Sequence, residues 1–130
     1  MGKEFMKRDM DLVRKLLFFF EEKESPRHVA IPPIEGYDDR TIKTHLVLLH
    51  DAGLLRCEPV RSRSSERVIY VLPFELTWAG HDFVQTMRSD TLWKKAKTHV
   101  LKPGASWSFE ILKEWAKQEI KEKLGMSGSS

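Results

Sequence analysis

Arg61, Arg63 and Arg67 stand among small hydroxyl residues in the run Arg61-Ser62-Arg63-Ser64-Ser65-Glu66-Arg67. A guanidinium presents a planar fork of donors that fits phosphate oxygens two at a time, and serine hydroxyls add single hydrogen bonds. A second set, Arg40, Lys43 and Thr44 followed by Val47, recurs every three or four residues, so a helix would carry all four along one side. Arg40 and Lys43 could then reach guanine O6 and N7 or phosphates, Thr44 either, and Val47 a thymine methyl. Both sets have plainer readings: a charged loop keeps an exposed hairpin soluble, and a charged helix side is often only hydrated. The acidic pair Asp38-Asp39 at the start of that helix works against a phosphate partner. Lys94, Lys95, Lys97 and Lys102 form a third basic run, which reads as a hydrated helix face.

Other chemistry is thin. His45 sits among leucines and reads as a core or helix-end histidine, while His50, His81 and His99 have no ligand spacing with Cys57 or a carboxylate. There is no glycine-rich phosphate loop, nucleophile elbow or paired-carboxylate signature, so neither an enzyme, a metal nor a cofactor is expected. The single cysteine excludes an intramolecular disulfide and a cysteine-based zinc cage. A net charge of +3, from 22 basic and 19 acidic residues, excludes a polybasic coat. Over Ser25–Phe74, which holds both candidate sets, seven basic residues stand against six acidic ones. Any binding must therefore come from a few placed cations. The longest apolar run, Leu16–Phe20, falls far short of the roughly 18–20 residues that span a bilayer, and Met1–Met10 is too polar for a secretory signal. The expectation is a cytoplasmic protein without a membrane partner.

The elements that must position these residues follow from apolar spacing. With 130 residues and 41% hydrophobic content, one domain is expected over residues 6–124. Met1–Phe5 reads as a leader or tag before a second start at Met6, and Gly125–Ser130 as a disordered tail. Asp9–Glu24 has a helical stripe of Met10, Val13, Leu16, Leu17 and Phe20; Leu12, Phe18 and Phe19 fall outside it, so the helix needs cover on more than one side. Pro26, Pro32, Pro33 and Gly36 forbid a helix over Arg27–Tyr37, leaving His28–Ile31 as a short strand. Asp38–Ala52 is the next helix, with Ile42, Leu46 and Leu49 inward and Gly53 as its stop. Leu54–Val60 and Arg67–Leu72 form a hairpin, with Pro59 and Pro73 pushed toward edges or strand ends. Thr77 caps a helix to about Met87, with Trp78, Phe83, Val84 and Met87 on its apolar side. Asp90 caps another to about Leu101, ended by Lys102-Pro103-Gly104. Ser108–Leu124 is the last, with Phe109, Leu112, Trp115, Ala116 and Ile120 inward. All four tryptophans lie in the C-terminal half, which predicts that the C-terminal helices pack back on the first helix or form a homodimer surface.

Helix, short strand, helix and two-stranded hairpin is the order of a winged helix-turn-helix. The stretch Arg40–Leu55, with His45-Leu46, Leu49 and Ala52-Gly53-Leu54, resembles the recognition helix and following strand of bacterial winged-helix repressors. Leu76-Thr77-Trp78-Ala79-Gly80 resembles the step that follows the wing in such domains. Met6–Leu12, the His45 helix, Leu76–Phe83 and Asp90–Lys97 together resemble a small uncharacterised family of bacterial and prophage winged-helix proteins. The resemblance implies an α+β, mainly helical fold: a winged helix-turn-helix with additional C-terminal helices. That family brings a fold and no established activity; the likeness to winged-helix repressors, taken with the two basic sets, leads to the expectation of a double-stranded DNA partner and a role in transcription regulation. Arg40, Lys43 and Thr44 would then read bases, and Arg61, Arg63 and Arg67 would grip the flanking backbone. One departure is plain: no supporting second helix fits Ser25–Tyr37. That gap and the near-neutral charge leave a second reading open, a winged-helix module that binds a phage or host regulatory protein and no DNA.

Overall fold

Asp9 starts the first helix by accepting a hydrogen bond from the Leu12 amide at 3.1 Å, and α1 then runs Met10–Glu22. The computed structural model describes residues 8–102 and 108–123. The expected leader Met1–Phe5, the expected tail Gly125–Ser130 and the break at Pro103-Gly104 lie outside them. The described residues form α1, α2 (Asp39–Asp51), β1 (Leu55–Arg61), β2 (Val68–Leu76), α3 (Trp78–Thr86), α4 (Asp90–His99) and α5 (Phe109–Lys123), an α+β chain. They divide into two compact units, Met1–Asp82 and Phe83–Ser130. Among the described residues no helix is long and apolar enough to cross a membrane.

In the first unit α1 buries Leu12, Val13, Leu16, Leu17 and Phe20, the breadth of burial that its off-stripe leucine requires. The expected strand at His28–Ile31 does not form. Val29 donates to the Pro73 carbonyl at 3.2 Å, but Pro73 has no N–H to return and Pro32 and Pro33 have none to extend a ladder. Helix α2 opens on Asp38, whose carboxylate accepts from the Thr41 amide at 2.8 Å. It closes on Gly53 at φ +76°, where the Gly53 amide bonds the His50 carbonyl and the Leu54 amide the Leu49 carbonyl, both at 3.0 Å. This pair of bonds turns the chain out of the helix only through a left-handed residue, a conformation that favours glycine.

Strands β1 and β2 pair antiparallel as a two-stranded sheet, and β2 runs four residues past its expected end at Leu72. Pro73 does not stop the strand because the register shifts there. Arg56 faces Glu75 and Cys57 faces Pro73, which leaves Phe74 without a partner. A proline is tolerated at such a bulge, and each strand of a two-stranded sheet is an edge. Helix α3 begins against the α2–β1 turn. The Thr77 amide donates to the Leu54 carbonyl at 3.1 Å, the Thr77 hydroxyl donates to the Gly53 carbonyl at 2.6 Å, and the same oxygen accepts from the Gly80 amide at 3.1 Å. At Gly80 a Cβ would run into the Leu54 carbonyl oxygen, so the close approach needs glycine. Trp78, expected on the apolar side, is instead 85% exposed. The first turn of α3 turns its glycine, not its tryptophan, to the chain beneath it.

In the second unit Phe83, Val84, Met87, Trp93, Ala96, Val100, Leu112 and Ala116 are buried. The Phe83 ring meets Trp93 edge-on at 6.2 Å and stacks on Phe109 at 5.6 Å. The cap of α4 is Ser89 rather than Asp90: its hydroxyl accepts from the Leu92 amide at 3.2 Å, and Asp90 takes the first turn, where a carboxylate suits the helix dipole. Ile120, expected on the inward stripe of α5, is 45% exposed. It lies two turns beyond Leu112, past the part of the helix that is buried.

Candidate nucleic-acid interface

Between α2 and the start of β2 lies an open cleft of about 820 Å³. Helix α2 supplies Asp39, Arg40, Lys43, Thr44, Val47 and Leu48, and the hairpin supplies Arg67, Val68, Ile69 and Tyr70. The helical side arises because Ile42, His45, Leu46 and Leu49 are buried, which turns the residues between them outward. On the strand side Arg67 and Ile69 share the parity of buried Val71, and a register shift between Val60 and Arg61 opens the ladder beside Ile69. The cleft therefore has a basic rim of Arg40, Lys43 and Arg67 and an otherwise largely apolar lining.

Four of the six residues expected to contact a nucleic acid meet in this cleft: Arg40, Lys43, Thr44 and Arg67. Arg61 and Arg63 do not line it. Arg61 Nη1 donates to the Glu66 carbonyl at 2.9 Å, which folds the side chain over the tip of the hairpin, and Arg63 is exposed within that tip. The tip is ordered by its own serines, with the Ser64 amide donating to Ser62 Oγ at 3.2 Å and the Arg67 amide to Ser65 Oγ at 3.2 Å. Lys43 Nζ lies 5.6 Å from the centre of the Tyr70 ring, a cation–π contact across the cleft. Thr44 Oγ1 donates to the Arg40 carbonyl at 3.0 Å and keeps lone pairs for an outside donor. Asp39 adds a carboxylate to the rim. Asp38 is held below the usual carboxylate range by hydrogen bonding from the Thr41 side chain and then its amide, so it stays ionised beside the cleft.

Leu48, Val68, Ile69 and Tyr70 carry no signal of a site in the sequence beyond strand propensity and helical spacing. Counting back two residues at a time from buried Val71 reaches Ile69 and Arg67 only; Val68 and Tyr70 hold the alternate positions, and parity does not find them.

The orientation of α2 depends on His45, which is buried and spans two elements. Its Nε2 accepts from the Asp9 amide at 2.8 Å, and its Nδ1 lies 2.9 Å from the Thr41 carbonyl. An amide N–H only donates and a carbonyl only accepts, so the ring hydrogen sits on Nδ1. Asp9 also engages Tyr37, whose phenol is pushed up first by burial and then by the charge and hydrogen bonding of Asp9. This confirms His45 as a locally bonded core histidine. Among the described residues no group of three or more His, Cys, Asp or Glu is placed to hold a metal ion. Cys57 is a free, half-buried thiol whose burial pushes its pKa up to about 11.

Fold and site thus define a small α+β protein whose open cleft is framed by one helix and one hairpin. The chain belongs to the DUF2513 family, described as "Hypothetical protein (DUF2513)", which it matches over residues 7–106. That span contains every residue of the cleft. The chain is also 32% identical over 120 residues to an uncharacterized protein of Haemophilus influenzae strain Rd, covering 92% of this chain and 99% of that one. No solved structure matches.

Proposed function

We propose that the chain is a winged-helix protein that binds double-stranded DNA through the α2–β2 cleft and acts in transcription regulation. The observation that carries this reading is convergence: Arg40 and Lys43 from a helix and Arg67 from a hairpin, distant in sequence, rim one cleft with Thr44. In this reading α2 lies in the major groove, with Arg40, Lys43 and Thr44 in reach of base edges and of the phosphates beside them. The hairpin is the wing, and Arg67 meets the flanking phosphates, while Arg61, turned onto the Glu66 carbonyl, and Arg63 stay at the tip outside the cleft. The missing second helix is offset by α1, which reaches the first turn of α2 through His45.

The test is binding of the full chain to a pool of random duplexes across a salt titration, beside the Arg40→Ala/Lys43→Ala/Arg67→Ala variant. Wild-type retention that weakens with salt, and a variant that binds weakly with a flatter salt response, support the reading. Equal binding by the variant, or no retention at low salt, overturns it. A second reading draws on the apolar lining of Val47, Leu48, Val68 and Ile69, which suits an amphipathic segment of a partner protein laid into the cleft. Loss of retention on duplex at every salt concentration, with the fold intact, favours that alternative.

A further inference from the structure

A cleft that only gripped phosphate would be polar throughout, and this one is not. Its basic residues lie toward the N-terminal end of α2 and on Arg67, whereas Val47 and Leu48 follow one turn beyond Lys43 and Ile69 stands on the facing strand. Ile69 is 53% exposed, a large apolar side chain turned to solvent beside three cations. In the major groove the apolar feature on base edges is the C5-methyl group of a pyrimidine. We propose that Val47, Leu48 and Ile69 form a subsite for that methyl group, one or two base steps from the base reached by Lys43. The spacing follows from geometry: one helical turn advances about 5.4 Å, and successive bases on a strand are about 3.4 Å apart.

This inference rests on the duplex DNA reading and adds a chemical identity to it. Charge supplies the occupant, because Arg40, Lys43 and Arg67 outnumber the Asp39 carboxylate in the lining, and that positive excess complements the phosphates on either side of a groove edge. Two bases carry the methyl, thymine and 5-methylcytosine, and the subsite recognises the group they share.

The probe is a duplex recovered from a random pool by the full chain, with a parallel pool in which every cytosine is 5-methylated. Each thymine is replaced singly by deoxyuridine, and each 5-methylcytosine by cytosine, changes that remove one methyl and leave the Watson–Crick edge intact. Binding should fall about fourfold at one or two adjacent positions, the factor carried by one buried methylene, and be unchanged elsewhere. Sensitivity in the thymine series, the cytosine series or both says which base fills the subsite. Ile69→Ala, a change at an exposed site that keeps the fold, should bind methylated and demethylated duplexes alike. Retention of the duplex with no methyl dependence at any position overturns the inference and leaves the DNA reading standing. Failure to recover any duplex removes both.

Discussion

His45 fixes the candidate helix through its two ring nitrogens, each facing a backbone group on a different element. Replacing it with leucine keeps the volume and leaves the Asp9 amide unpaired in a part-buried place, while the Thr41 carbonyl keeps its helical bond from the amide of residue 45. A group left so costs about 1–3 kcal/mol. His45→Leu should therefore lower the urea midpoint while leaving the urea dependence of unfolding unchanged, and a midpoint equal to wild type would show that water replaces the ring. Cys57 gives a prediction in pH. Its folded pKa of about 11 lies above the ordinary thiol value of 9.0, because burial disfavours the thiolate. The folded state thus holds a proton that the unfolded chain releases, so this contribution is intact below the ordinary value and is lost as pH rises through the folded one. Stability measured by denaturation should decline from about pH 9 to about pH 11, and Cys57→Ala should lack this component of the decline. A variant that follows the wild-type curve would assign the loss to other groups.

At the scale of elements, the junction of α3 with the α2–β1 turn decides how the hairpin leaves the helix. Three hydrogen bonds through Thr77 and the bare Cα of Gly80 hold it. Gly80→Ala places a methyl against the Leu54 carbonyl oxygen, a backbone atom that cannot swing away, and should cost about 1–3 kcal/mol, as overpacking does. Since Leu54 leads directly into β1, thermal unfolding and duplex binding should fall together; a stable variant with normal binding would mean the turn adjusts freely. The elements themselves were largely legible in the chain. Helical spacing and end signals place α1, α2 and α4 to within a few residues, because apolar period and capping chemistry are local. Pro73 misleads because a bulge absorbs it, and the bulge depends on which residue lies across the sheet. Trp78 and Ile120 mislead because hydrophobicity does not say where cover ends. The cleft was half legible for the same reason. Arg40, Lys43 and Thr44 follow from one helix, whereas Ile69 and Tyr70 join them only through tertiary placement of the hairpin.

Considered whole, the molecule carries +3, too little to draw DNA from a distance, so any affinity must come from local contacts. Counting Arg61, Arg63 and Arg67 with Arg40 and Lys43 gives at most five phosphate contacts, and four or five of them give a salt slope near −4. The fold reduces that count. Arg40, Lys43 and Arg67 rim the cleft, Asp39 stands among them, and Arg61 is turned onto the Glu66 carbonyl. At about −0.9 per contact, three contacts give a slope of log affinity against log salt near −3, or roughly a fortyfold loss over a fourfold rise in salt. Arg67→Ala should flatten the slope by about one. Arg61→Ala should change it little, because that guanidinium is turned onto the Glu66 carbonyl and does not line the cleft. A slope near −4 or steeper, flattened equally by both substitutions, would instead mean that the hairpin tip opens on binding and releases Arg61 to phosphate. The two variants measured side by side therefore separate a cleft that binds as it stands from a wing that rearranges around the duplex.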